Sequence, residues 1–255
     1  MPLRIAIVTQ DEPFYMPTFF EAFFDELSEK VVIDSVTILD LLDDSMAELA
    51  ARMYGLYGPW NFLRRGIEFA YRKTLSSIGD SYSVANIANR NGVPVKTREN
   101  VNESEFVSYL EESNIDVLLS VSAPEVFDSA ILTAPNWGCI NVHTASLPEY
   151  RGMLPTFWAL YQGEDEIGVT VHTMVEEIDR GKIVRQTTFL VDSNDTLDDV
   201  ITRGKRVGGK EAAAALAAIA DGTVELTEMS GKGSYYSFPT ADDRREFQRR
   251  GREVL

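Results

Sequence analysis

The feature that most constrains this chain is an alternation of short, β-rich apolar runs with helix-like stretches, and the first forty residues show its unit. Arg4-Ile-Ala-Ile-Val-Thr9 has no polar alternation, which is the pattern of a strand buried on both faces of a parallel sheet. Pro17 suits the first turn of a helix, and Phe19, Phe20, Phe23, Phe24 and Leu27 then fall on one helical stripe, which reads as core packing. Val31 to Leu39 reads as the second strand. Strand, helix, strand in this order is a βαβ unit, so a right-handed crossover and a parallel sheet follow.

From about Leu41 to Asn91 the chain turns helical and locally basic, with Trp60, Phe62, Phe69 and Tyr71 set among Arg64, Arg65, Arg72 and Lys73. This is longer than an ordinary strand-to-helix connection, and reads as an inserted amphipathic helix facing solvent, a second subunit or a ligand. Asn91-Gly92 resembles a helix stop, Val93 to Lys96 a short strand and Glu103 to Glu112 a helix. Further strands are expected at Asp116–Ser122, Cys139–His143, Gly168–Thr173 and Lys182–Val191, with helical pieces at Ser129–Thr133 and Pro155–Gln162. Asn194 or Asp195 can cap a long helix that ends at Gly222, with Gly208-Gly209 as a bending point. The expected class is α/β, a doubly wound and mostly parallel sheet with a helical insert and a short C-terminal extension, whose last helix is capped by Thr240 or Asp242.

Composition removes several functions. With 44% hydrophobic residues the chain can fill a core, but no window approaches the roughly 18 uninterrupted apolar residues of a membrane span. Nor does Met1-Pro2-Leu3-Arg4 begin a signal peptide, so the expected setting is the cytoplasm, without a membrane partner. One cysteine, Cys139, and two histidines are too few for a structural zinc cluster, so no metal is expected. A formal charge of −16 opposes general nucleic-acid binding, and the acidic excess with 17 arginines against seven lysines resembles proteins of a high-salt cytoplasm. The turn after the first strand, Thr9-Gln10-Asp11-Glu12-Pro13, offers two carboxylates and no glycine where a dinucleotide or phosphate would dock. There is no Gly-x-Ser-x-Gly elbow either.

The informative segment is Asn141-Val-His-Thr-Ala-Ser-Leu-Pro-Glu-Tyr-Arg-Gly152. Asn141 and His143 are two apart at a strand end, so their side chains share a face at the carboxyl edge, where doubly wound sheets bind ligands. The next strand runs into Met174-Val-Glu-Glu-Ile-Asp-Arg-Gly181, which brings Asp179 to the same edge on a loop. An amide, an imidazole and a carboxylate can therefore converge without a metal. His172 lies mid-strand and reads as structural or rim-lining.

The Asn-x-His pair, the Ser-Leu-Pro and Tyr-Arg-Gly run, the Gly-Val-Thr strand and an Ile-Asp-x-Gly loop, its Asp179 36 positions after the histidine, together resemble the folate-dependent formyltransferases. That family includes methionyl-tRNA, glycinamide ribonucleotide and amino-sugar formyltransferases and the formyltetrahydrofolate hydrolases. The resemblance is close from Asp116 to about Phe189. It implies a Rossmann-like catalytic domain over 1–222, an extension over 223–255, and 10-formyltetrahydrofolate as formyl donor. It further implies Asn141, His143 and Asp179 as the catalytic trio, with the Asn141 amide and a protonated His143 holding an oxyanion while Asp179 favours the imidazolium. By the same resemblance the pterin lies between Pro124-Glu125-Val126-Phe127 and Glu176-Glu177-Ile178-Asp179, although Ser120-Val-Ser-Ala-Pro124 departs from the family's usual glycine or aromatic residues there. Ser146 and Arg151 either shape the turn before the helix at Pro155 or contact the acceptor.

Methionyl-tRNA formyltransferases carry a further C-terminal β-barrel, which the roughly 65 residues after the last expected strand are too few to supply. Glycinamide ribonucleotide formyltransferases hold a substrate phosphate near the first strand, where this chain has Asp11 and Glu12. The expected acceptor is therefore a primary amine on a small molecule, preferably a nucleotide-linked amino sugar, with the insert as its platform. Transfer to water by the same trio, folate or partner binding without turnover, and a homodimeric state all stay open.

Overall fold

The computed structural model describes residues 1–39, 43–77, 79 and 82–255; the expected start of the insert at Leu41 lies outside them. The opening unit is β1 (Leu3–Thr9), α1 (Met16–Asp25) and β2 (Val31–Leu39). The insert is α2 (Asp43–Ser76) and α3 (Val84–Arg90). The alternation resumes with β3 (Val95–Arg98), α4 (Ser104–Glu112), β4 (Val117–Val121), α5 (Ser129–Thr133) and β5 (Gly138–His143). Then come β6 (Arg151–Gly152), α6 (Pro155–Gln162), β7 (Glu166–Thr173), β8 (Ile183–Leu190), α7 (Leu197–Ala220), β9 (Tyr235–Tyr236) and α8 (Ala241–Arg249).

Seven strands form one sheet in the order β3-β2-β1-β4-β5-β7-β8. Neighbours from β3 to β5 are parallel, while β7 runs antiparallel to β5 and β8 antiparallel to β7. The fold is thus the expected mostly parallel α/β sheet flanked by helices. The strand order reverses between β1 and β4, which opens a crevice above their carboxyl ends. β4 (Val-Leu-Leu-Ser-Val) is buried throughout, as a central parallel strand covered on both faces must be.

The Phe stripe supplies one side of the core: Phe19, Phe20 and Phe23 are fully buried in a cluster with Val142, Val169, Val171 and the alanines of α7. Burial of each such ring contributes about 1.5–3 kcal/mol. Gly208 and Gly209 do not bend α7, which runs unbroken from Leu197 to Ala220. They let it approach α1, because a Cβ on Gly209 would stand 2.3 Å from the Phe19 carbonyl oxygen. The helix is capped by Thr196, not by Asn194 or Asp195: Thr196 and Asp199 form a reciprocal capping box. Thr240 and Asp243 do the same for α8, as the threonine predicts.

The insert departs from its expected orientation. α2 contains a break at Gly58 (φ 72°, ψ 169°) followed by Pro59, so it is two helical segments. Two of its arginines turn inward beside the buried Leu56 and Tyr57. Arg65 is buried over the Phe14 ring and bonds the Tyr15 hydroxyl, Asp198 and Glu68. Arg72 donates to the Pro13 carbonyl. The apolar residues Trp60, Leu63, Ile67 and Tyr71 point outward instead, with Trp60 80% exposed. Simple hydrophobic patterning fails here because two arginines tie α2 to the turn after β1.

Asp11 and Glu12 of that turn serve as caps. Asp11 accepts hydrogen bonds from Ser83 Oγ and the Val84 amide at the start of α3, and Glu12 from the Phe14 and Tyr15 amides at the start of α1. Residues 223–255 pack back on the main body through β9 beside β6, a Thr227–Ile183 bridge and the stacked rings of Phe247 and Phe157, 4.8 Å apart.

Candidate active site

Asn141 and His143 leave the carboxyl end of β5 on one face. The antiparallel register sets His172 of β7 directly opposite Asn141, so the mid-strand histidine joins the site. Asn141 Nδ2 donates to His172 Nε2 at 3.3 Å. Both histidines of the chain are buried there.

Asp179 arrives on the β7–β8 connection. That connection folds back tightly, and a Cβ on Gly181 would lie 1.7 Å from the Thr173 carbonyl oxygen, so only glycine fits. Asp179 itself is left-handed (φ 54°), a conformation that costs an L-residue roughly 1–2 kcal/mol. Its Oδ2 accepts the Gly152 amide at 2.9 Å and stands 3.6 Å from His143 Nδ1, while Oδ1 is 3.5 Å from His172 Nε2. Ser122, Tyr150 and Leu154 are also left-handed, so strained backbone clusters around this site.

Protonation follows from the partners. His143 Nε2 lies 2.8 Å from the Tyr150 carbonyl and His172 Nδ1 2.9 Å from the Thr173 carbonyl. A carbonyl only accepts, so each of those nitrogens carries a hydrogen, and in the neutral rings His143 Nδ1 and His172 Nε2 are lone pairs. Burial lowers the His143 pKa below its ordinary 6.5, with Asp179 opposing that shift, so the ring is neutral at pH 7. Burial pushes the Asp179 carboxyl up, but the His143 ring, charged in the acid range where this group titrates, the His172 contact and the Gly152 amide outweigh it and hold the acid at about 2. An ionised carboxylate thus stands 3.6 Å from the unprotonated His143 Nδ1, a nitrogen placed to take a proton beside a negative charge.

These residues sit in a cleft of about 710 Å³. Pro124, Glu125, Val126 and Phe127 line one side, Glu176, Ile178 and Asp179 another. Glu177 does not line it: its carboxylate binds Arg151 at 2.9 Å. Arg151 is likewise outside the lining, holding Glu177 and the Ile178 carbonyl, and Ser146 is pressed against β7, where a Cβ on Gly168 would come within 2.1 Å of its hydroxyl. Neither residue therefore lines the cleft. Glu48, Leu49, Arg52 and Met53 of α2 also line the cleft, so the insert reaches the site. Lys205 of α7, which the sequence reading passed over, lines it too and donates to Ser122 Oγ at 2.6 Å. Among the described residues no cluster of His, Cys, Asp and Glu could hold a metal ion, and no helix is long and apolar enough to cross a membrane.

A family model described as "Formyl transferase" matches residues 73–216, more than half of the chain. The chain belongs to the formyl transferase family. It is 33% identical to the methionyl-tRNA formyltransferase of Agathobacter rectalis over 139 residues, which are 54% of this chain and 44% of that protein. The chain spans about half the length of the curated relatives it matches. Its fold resembles glycinamide ribonucleotide transformylase 1 of Symbiobacterium toebii, with a TM-score of 0.63 and 18% identity, covering 89% of this chain and 95% of that one. It also resembles WlaRD, a sugar 3N-formyl transferase crystallised with dTDP and 5-N-formyl-THF, with a TM-score of 0.57 and 16% identity, covering 100% of this chain and 83% of that one.

Proposed function

We propose that this protein transfers a formyl group from 10-formyltetrahydrofolate to a primary amine on a small molecule, a nucleotide-linked amino sugar being the preferred acceptor class. The observation that carries this reading is the convergence of Asn141, His143, His172 and Asp179 on the wall of an open cleft. The residues present fit the donor: Val126, Val175 and Ile178 are exposed apolar side chains lining the cleft, a surface that a flat heterocycle would cover. Among sugar and ribonucleotide formyltransferases of similar fold, WlaRD was crystallised with both a nucleotide and a folate.

When bound, 10-formyltetrahydrofolate supplies a carbonyl carbon attached to nitrogen. The second Asn141 amide hydrogen can hold the carbonyl oxygen as the incoming amine adds and charge develops there. His143 Nδ1 takes the proton that the new carbon–nitrogen bond forces off the amine. The resulting imidazolium is stabilised by Asp179, 3.6 Å away, and by the Tyr150 carbonyl at Nε2. It returns the proton to the departing folate nitrogen as the original bond breaks, so the site ends as it began. His172 fixes the Asn141 amide and shares the Asp179 carboxylate.

The test is release of tetrahydrofolate from 10-formyltetrahydrofolate by the pure protein, with and without a panel of amines. Amine-dependent release that is lost in His143→Ala supports transfer. Equal release without amine identifies hydrolysis, and binding without release identifies a folate-binding protein; either overturns the reading.

A further inference from the structure

One helix of the fold turns an apolar stripe to solvent. In the part of α2 beyond the Gly58–Pro59 break, Trp60, Leu63, Ile67 and Ala70 follow the alternating three- and four-residue spacing of a helix–helix seam, with Tyr71 beside them. All five are exposed, Trp60 by 80%, Ile67 by 65%, Tyr71 by 61% and Leu63 by 55%. The opposite side of the helix is what anchors it. Arg65 is buried over the Phe14 ring and bonded to Tyr15, Asp198 and Glu68, and Arg72 donates to the Pro13 carbonyl. Rolling the helix to hide the stripe would strip a buried guanidinium of its partners, so the stripe is held outward.

Its size and its order both point to what covers it. The stripe amounts to about 500 Å² of apolar side chain, near the upper end of what a monomer ordinarily exposes. Against a second copy it would bury about 1,000 Å² in total, the size at which a specific interface begins. The stripe also fits itself reversed. Two such helices laid antiparallel about a two-fold axis at position 65 set Leu63 against the second copy's Ile67, and Trp60 against the second copy's Ala70, large on small. The exposed charges of this segment are the cations Arg64 and Lys73, while Glu68 is committed to Arg65 and Arg72. The acidic excess of the chain is therefore missing from this face, and a net charge of −16 on the whole opposes docking on an anionic bilayer.

We infer that the outer face of α2 is an interface between two copies of this chain, paired antiparallel through Trp60, Leu63, Ile67, Ala70 and Tyr71. It lies on the same helix whose first segment lines the cleft, so each cleft would be braced by the second copy.

The test is sedimentation velocity of the whole protein over a concentration series, at low and at high salt. A reversible monomer–dimer equilibrium is expected, tightening with salt, because salt screens the like charge of the two copies and favours apolar contact. Ile67→Asp sets a carboxylate against the second copy's Leu63 at two symmetric places and should weaken the dimer on the order of 10²-fold or more, while Ile67→Leu should hold it within about threefold. Trp60→Gln, at an 80% exposed position, breaks the same seam in a second way, and circular dichroism checks that each variant is folded. A chain that stays monomeric throughout the series, or a dimer as tight in the folded variants Ile67→Asp and Trp60→Gln as in the unaltered protein, overturns the inference. So does a monomer that floats with vesicles of phosphatidylcholine and phosphatidylglycerol, which would make a lipid surface the occupant. None of these readouts involves turnover, so the dimer stands or falls apart from the formyl-transfer reading.

Discussion

The two walls of the cleft are built to different rules. One is the rim of β5 and β7 with the Asp179 loop, where buried side chains are pinned to backbone carbonyls and the main chain is held left-handed at Ser122, Tyr150, Leu154 and Asp179. The other is the first segment of α2, where Glu48 and Arg52 pair with each other from exposed positions on a helix tied down mainly at its far end by Arg65 and Arg72. The first wall tolerates one geometry and stores strain to keep it; the second can change its side chains without disturbing the sheet. Under the proposed formyl transfer, the difference assigns the fixed chemistry to the rim and acceptor choice to the helices.

The largest effects should come from the rim. His143→Ala removes the proton acceptor and Asn141→Ala the amide donor, and each should lower the turnover number about 10²-fold or more in the tetrahydrofolate-release assay. Asp179→Asn should do the same by removing the charge that stabilises the protonated ring. Wild-type rates in any of the three would refute the proton path and erase the contrast between the walls.

Two glycine substitutions sharpen it next. Gly181→Ala and Gly209→Ala both force a Cβ into a backbone oxygen, at 1.7 Å and 2.3 Å, and each should cost roughly 1–3 kcal/mol in denaturant unfolding. Gly181 shapes the Asp179 loop, whereas Gly209 only brings α7 to α1. The first variant should therefore lose turnover in its folded fraction and the second keep it. Equal turnover in the two would show that the loop's backbone does not position the carboxylate.

The same contrast decides what the sequence made legible. The β5 and β7 strands, the Asn141–His143 pair and the Asp179 loop follow from local rules, namely alternation within a strand, a polar pair at its end and a glycine in a fold-back. The strand pattern reads His172 only as structural or rim-lining, because its bond to Asn141 depends on strand register: the antiparallel pairing of β7 with β5 sets the two opposite each other. A chain with two histidines, both in strands that border one crevice, carried that signal. Lys205 was hidden in the apparent hinge of α7, since Gly204, Gly208 and Gly209 read as flexibility and serve close approach. The inward face of α2 was illegible for a further reason. Arg65 satisfies partners from the turn after β1 and from α7, more than a hundred residues apart along the chain, and no local window contains both.

The rim's electrostatics can be tested more gently. With only two histidines, and a His172→Gln variant to assign the other ring, an NMR titration of the ring signals reads His143. Its pKa should lie below 6.5, fall further in Asp179→Asn, because the carboxylate raises it, and rise in Lys205→Met, because the ammonium lowers it. The sign for stability follows: below pH 6.5 the unfolded chain takes up this proton before the folded one does, so stability should decline as pH falls from 6.5 toward the folded value. A second acid loss should begin below 3.8 and end near 2, as Asp179 protonates, and should be missing from Asp179→Asn. A His143 pKa above about 7 would leave the ring charged at rest and reverse the direction of the first proton transfer.

The smallest effects belong to the helical wall. Glu48 and Arg52 are exposed partners one helical turn apart, so breaking the pair in Arg52→Ala should change unfolding stability by no more than about 0.5 kcal/mol. If α2 forms the acceptor side, the same variant should alter the acceptor KM and leave the KM for 10-formyltetrahydrofolate where it was. A change in the donor KM instead would place the folate against α2, and the division of labour between the two walls would have to be redrawn with the acceptor on the Val126 and Ile178 side.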